Sequence, residues 1–331
     1  MGARRGSMKR EIRVEDAVGM VLAHDLTRIV PGEFKGRLFA KGHRISEEDL
    51  PKLLAIGKEH IYVLEPEAHE LHEDDAAERM ARALCHESLR FTEPNEGKVN
   101  AKAAHDGLLV IDVERLDAIN GIGDVVVVTK PTHQPVREGQ TVAGLRAIPL
   151  LVDAKKIAAY EAIAAEEPLL RVLPFLRLSV GVVTTGSEVF KGRITDKFGP
   201  RIQEKLKPYG LLFAGQRIVD DQLDDIVAAI RAFQAEKADV ILVTGGMSVD
   251  PDDRSPLALR TVAAEVVTYG MPVLPGSMTM LAYAGETVLM GLPGCVIYDE
   301  VTAFDWLLPR VAAGLRPTRA EIARFGCGGL L

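Results

Sequence analysis

Residues 239–253 read Asp-Val-Ile-Leu-Val-Thr-Gly-Gly-Met-Ser-Val-Asp-Pro-Asp-Asp. Val240 to Val243 form an unbroken apolar run, mostly β-branched, which predicts a strand buried on both faces of a sheet. The run breaks into Thr244-Gly245-Gly246-Met247-Ser248. Paired glycines let a backbone turn sharply and approach a ligand closely, with amides able to face an anion. Asp250, Asp252 and Asp253 follow. Amides, hydroxyls and carboxylates past the C-terminal end of a strand suit a phosphorylated ligand with Mg²⁺. A Gly-Gly turn followed by a solvated acidic loop would leave the same pattern.

Outward from that stretch, the C-terminal half alternates strand and helix. Leu178–Thr184 predicts a strand ending in Thr184-Thr185-Gly186-Ser187-Glu188. Gly199-Pro200 opens a helix and Pro208-Tyr209-Gly210 closes it. A strand runs from Leu211 towards Val219. Asp220-Asp221 opens the next helix, whose Leu223, Ile226, Val227, Ile230 and Phe233 share one face. A helix is expected around 256–264. Thr287–Met290 is another strand, ending in Gly291-Leu292-Pro293-Gly294, and a last helix is expected over 296–311. This alternation predicts an α/β domain with a mostly parallel sheet and helices on both faces. In such a sheet the loops after parallel strands converge at one end, where ligands bind. Residues 191–207 hold six cations against two anions, a composition that suits either an anionic ligand or a solvated helix face.

The N-terminal part reads differently. Residues 11–65 form a small α+β unit with short strands at 18–22 and 61–64. Ser46 with Asp49 resembles a capping box for a helix that stops at Gly57. Residues 67–91 predict one acidic amphipathic helix. Its His69 and His72, with Cys85 or His86, could ligate a metal, but a polar helix face with incidental histidines is the simpler reading. Residues 97–178 predict a β-rich or α+β region followed by a helix capped by Asp153.

At 331 residues there is room for two or three domains. A net charge of −7 argues against general nucleic-acid binding. No window is apolar enough to span a membrane. The three cysteines are widely separated, which points to a reducing cytoplasm rather than a disulfide framework. All eight histidines lie between His24 and His133. By chain position, chemistry in the C-terminal half is therefore expected to rest on carboxylates, hydroxyls, amides and a metal ion.

The blocks TTGSE, GRITD, IVDD, VTGGMSVDPDD and LMGLPG occur in that order over about 178–311. Together they resemble the molybdopterin-binding domain shared by molybdopterin adenylyltransferases and molybdenum insertases. Residues 39–63 also resemble the small segment that precedes this domain in insertases. The resemblance implies a three-layer α/β/α domain over 178–315, which leaves a C-terminal tail over 316–331, while the residues themselves mark off 8–65 and 66–177 as separate N-terminal parts. It implies molybdopterin or its adenylylated form as ligand, Mg²⁺, molybdate as a further ligand, self-association and molybdoenzyme clients. Thr185, Gly186, Ser187, Glu188, Asp196, Gly245, Gly246, Met247, Ser248, Pro293 and Gly294 would line the pocket. Asp220 and Asp253 would organise Mg²⁺ and the transferring phosphate. One departure stands out: insertases carry Lys-Pro-Gly-Lys where this chain has Leu274-Pro275-Gly276-Ser277. Two further readings are a non-catalytic cofactor carrier, chaperone or sensor, and a nucleotide-processing enzyme with a similar domain, such as the nicotinamide-nucleotide deamidases.

Overall fold

The computed structural model describes all residues except 1–8, 31–33, 65–66, 85, 166, 249 and 251–252. The chain divides into two compact units. One comprises 1–104, 110–132 and 138–171; the other comprises 105–109, 133–137 and 172–331.

In the second unit, six strands form one sheet: β1 (Ser179–Thr185), β2 (Leu212–Val219), β3 (Val240–Thr244), β4 (Glu265–Tyr269), β5 (Met280–Ala284) and β6 (Thr287–Leu292). Their order is β2-β1-β3-β6-β5-β4. β2, β1, β3 and β6 run parallel, while β5 is antiparallel to both β6 and β4. The mostly parallel α/β architecture expected from the sequence is thus present, with an antiparallel edge that strand-helix alternation did not predict.

The pleat of β3 explains the layers. Val240 and Leu242 pack on one face with Ile202, Leu206, Phe304, Leu307 and Leu308. Ile241 and Val243 pack on the other with Ile226, Ile230, Phe233 and Leu259. Successive strand side chains point to opposite faces, so a strand covered on both sides must be apolar throughout. The covering helices are α1 (Phe198–Leu206) and α4 (Ala303–Ala312) on one face. On the other lie α2 (Leu223–Ala235) and α3 (Ser255–Val262). Burying each Leu, Ile or Phe side chain contributes about 1.5–3 kcal/mol against conformational entropy.

The helix expected over 296–311 is two helices, Cys295–Tyr298 and α4. Thr302 supplies the break. Asp305 accepts from Thr302 N (2.8 Å) and Oγ1 (3.0 Å), so a fresh helix is capped there. Lys205, buried in α1, fixes the same break through Glu300 O at 2.8 Å and Asp305 Oδ1 at 2.7 Å.

In the first unit, the Ser46–Asp49 capping box is formed. A cavity of about 640 Å³ lies against Leu26, Leu38 and Ile56 and carries Arg28, Lys52 and Lys58. The helix expected over 67–91 is shorter. Glu70–His72 is a strand, the helix spans Glu73–Ala83, and Leu89–Phe91 is again a strand. His72 ends the first strand by accepting from Asp74 N at 3.2 Å, capping the helix with its ring. Leu89–Phe91 gains a ladder with 101–103, which a continued helix would forfeit. No described helix is long and apolar enough to cross a membrane.

Candidate functional site

Three loops leave adjacent strand tips at one end of the sheet. Thr184 pairs with Thr244, and Thr244 pairs with Leu292. Gly186, Gly245-Gly246 and Pro293-Gly294 therefore emerge side by side, spaced by the ~5 Å between neighbouring strands. Thr185 also pairs with Val219, which brings Asp220 beside Gly186.

Glycine is required at the centre of this arrangement. Gly245 has φ +89°, and a Cβ there would lie 2.4 Å from the Thr185 carbonyl oxygen. Gly246 has φ +55°, and its Cβ would lie 3.2 Å from Ser255 Oγ, 3.4 Å from Thr185 Oγ1 and 3.6 Å from Asp253 Oδ1. The Asp253 carboxylate, the Ser255 hydroxyl and the Thr185 hydroxyl thus gather around the second glycine. Ser255 Oγ donates to Gly245 O at 2.7 Å and pins the loop. Tyr269 braces it from β4, its hydroxyl donating to Met247 O at 2.9 Å. Burial, then the charge of Asp253, raises the Tyr269 pKa.

The first loop is built around Asp220. Its carboxylate accepts from the Ser187 hydroxyl and, at 2.9 Å, from Asp221 N. Lys191 Nζ stands 3.7 Å from Asp220 Oδ2. The Ser187 bond foremost, with the Asp221 amide, holds the carboxyl below its ordinary range. Ser187 N donates to Asp221 Oδ2 at 2.8 Å, so this amide is already engaged. Glu188 folds its carbonyl under the turn, accepting from Arg193 N at 2.8 Å.

Two assigned side chains serve the scaffold. Met247 is 3% exposed, and a methyl on Gly291 would meet its Cε at 2.4 Å. Its backbone lies in the loop, but its side chain fills the core. Asp196 accepts from Phe198 N and Gly199 N, each at 3.0 Å, and so caps α1. Gln216 on β2 locks it: Nε2 donates to Asp196 Oδ2 at 2.8 Å and to Thr184 Oγ1 at 2.7 Å. Gly199 leaves room for this, since a Cβ there would overlap Gln216. Sequence reasoning missed Gln216 and Tyr269, because nothing local marks a residue whose partners lie on other strands.

Ser248 lies exposed beside the loop, and Gly294 has open space around it. Asp252 and Pro251 fall outside the described residues. So does Cys85 of the histidine cluster. His72 Nε2 lies 2.8 Å from Gly42 O and His86 Nδ1 lies 2.8 Å from Ser88 Oγ, so both rings have structural partners. Among the described residues no set of three His, Cys, Asp or Glu side chains is placed to hold a metal. His105 and His133 belong to the sheet-bearing unit, which amends the division drawn from chain position. Burial foremost, then Arg310, depresses the His133 pKa to about 4.

Residues 181–313 match the family described as a probable molybdopterin binding domain. Residues 11–65 match a family described as a domain of unknown function. A molybdopterin molybdenumtransferase of Staphylococcus aureus is 33% identical over 123 residues, covering 35% of this chain and 29% of the relative. The corresponding protein of Staphylococcus epidermidis is 28% identical over the same length. The chain thus spans under a third of these curated relatives. Among solved structures, the molybdopterin biosynthesis enzyme MoaB of Thermus thermophilus aligns at 24% identity with a TM-score of 0.37. That alignment covers 42% of this chain and 98% of that one. A molybdopterin biosynthesis protein of Mycobacterium abscessus aligns at 19% identity and a TM-score of 0.37, covering 42% and 94% respectively.

Proposed function

We propose that this chain, whose residues 181–313 match the probable molybdopterin binding domain family, binds molybdopterin, or its adenylylated form, in molybdenum cofactor biosynthesis. The observation that carries this reading is the convergence of three glycine loops at register-adjacent strand tips, with the Asp253 carboxylate beside Gly246. The ligand's flat pterin and its phosphate would lie across those tips. Ser187 and the exposed Ser248 would supply hydroxyls and the glycines would allow close backbone approach, while the buried Thr185 and Ser255 hydroxyls hold the loop.

The residues fit Mg²⁺ in one specific way. Magnesium is commonly held by one or two carboxylates together with substrate phosphates. Asp253 is suited to that role. Asp220 is less so, because Ser187, the Asp221 amide and Lys191 already surround it. When bound, the ion would supply charge stabilisation for an adenylyl or molybdenum transfer. The chain's own contribution is to orient the ligand, hold Asp253 against the second glycine and keep Asp220 ionised. Molybdate, self-association in the cytoplasm and delivery to molybdoenzyme clients are parts of the same proposal.

A second reading is a cofactor carrier, chaperone or sensor without turnover. Two observations favour it: Asp220 is engaged within the protein, and Leu274 and Ser277 stand where insertases carry lysines. Incubating the purified chain with molybdopterin and Mg-ATP, and following AMP incorporation and release, separates the two. Turnover abolished by Asp253→Ala supports the enzyme. Binding without turnover supports the carrier. No binding at micromolar concentrations refutes both.

A further inference from the structure

The site contains two carboxylates and would receive a phosphate, so a cation beside them would favour the ligand. Lys191 is the lysine that the structure puts beside one of them, Asp220. Its backbone N–H donates to Ser187 O at 3.0 Å, closing the single helical turn Ser187–Phe190. Its Nζ lies 3.5 Å from Ser187 Oγ and 3.7 Å from Asp220 Oδ2. Among the described residues, no other lysine or arginine head group hydrogen-bonds or ion-pairs with a residue of the three loops or with Asp220 or Asp253. The turn at Leu274–Ser277, which precedes β5 at the same end of the sheet, carries no charge.

Both distances exceed the roughly 2.7–2.9 Å of a formed charge-assisted hydrogen bond. The Asp220 Oδ1 lone pairs are taken by the Ser187 hydroxyl and the Asp221 amide. The ammonium makes only these two long contacts, to the Ser187 hydroxyl and the Asp220 carboxylate, and its side chain is 48% exposed. An ammonium carries three N–H donors, so two long contacts leave it capacity for a further acceptor. An anion arriving at Ser187 would meet the negative charge of Asp220, which Lys191 partly offsets, since like charges at short range repel.

We propose that Lys191 is the phosphate-binding residue of this site: its ammonium receives the ligand's terminal phosphate and shields that phosphate from Asp220. This rests on the molybdopterin reading above and adds the residue that discriminates phosphorylated from unphosphorylated ligand.

The test uses the full chain with molybdopterin and with molybdopterin whose terminal phosphate has been removed. Binding is followed by pterin fluorescence at low and high NaCl. The expected result for Lys191→Met is a loss of about tenfold in affinity for the phosphorylated ligand, from one partly exposed charge-assisted contact. Its salt dependence should flatten. Lys191→Arg should retain most of the affinity, and Lys191→Met should leave binding of the dephosphorylated ligand unchanged. Equal affinity of wild type and Lys191→Met for the phosphorylated ligand overturns the assignment while the molybdopterin reading stands. Equal losses for both ligands also overturn it, because the lysine would then shape the loop rather than contact phosphate. Failure of the wild type to bind either ligand removes the molybdopterin reading itself.

Discussion

Replacing Gly245 with alanine tests the closest backbone approach in the site. Its φ of +89° lies where L-residues are strained, a cost of about 1–2 kcal/mol. The added Cβ would stand 2.4 Å from the Thr185 carbonyl oxygen. That carbonyl cannot drift freely, since Thr185 is in register with Val219 on β2. Relieving such an overlap in packed structure costs about 1–3 kcal/mol more. The sum is about 2–5 kcal/mol, which in a domain of this size corresponds to a fall of about 5–15 °C in melting temperature. Gly294→Ala is the matched control: its φ is −58° and no atom lies within 4 Å of an added Cβ. Differential scanning calorimetry of the full chain reads both variants, with the transition of the sheet-bearing unit followed. A Gly245→Ala protein melting within about 1 °C of wild type would refute the close approach of β3 to β1 at their tips, and with it the convergence of the loops.

Lys205→Ala should destabilise the sheet-bearing unit by about 3 kcal/mol, because the mutation leaves a largely buried carboxylate without its cation. Lys205 donates to Asp305 Oδ1 at 2.7 Å and Oδ2 at 2.8 Å; urea denaturation would detect the change, and a loss below about 0.5 kcal/mol would count against the pairing. For Asp220, whose folded pKa is depressed, the stabilising contribution is full above the unfolded value and is lost as pH falls through the lower folded value. Ser187→Ala removes the largest cause of that depression, so the carboxyl should titrate nearer the ordinary 3.8, as followed by side-chain carbon NMR. An unchanged midpoint would show that the hydroxyl does not govern this group.

Much of the sheet was legible because its causes are local. Four apolar residues from Val240 to Val243 can lie in a sheet only if both faces are covered, and both are. The glycine loops after Thr185, Thr244 and Leu292 were legible for a similar reason, since a strand of this kind must end where its apolar run ends. Capping by Ser46 and Asp153 was likewise written into a few consecutive residues. The antiparallel strands at 265–269 and 280–284 were not legible, because their apolar residues carry no helix between them to mark the pattern.

By itself, the sequence determined that most of the C-terminal half alternates strand and helix and that polar glycine loops follow the parallel strands. Tertiary structure decided what each polar group in those loops does. Met247 sits in a glycine loop yet turns inward, because the absence of a side chain on Gly291 leaves it space. Asp196 serves as a helix cap because Gln216, twenty residues on, reaches it from a neighbouring strand. Lys191 stands beside Asp220 because β1 and β2 are in register. Strand and turn propensities act over a few residues, whereas these contacts depend on which strand tips become neighbours, and only the folded sheet fixes that.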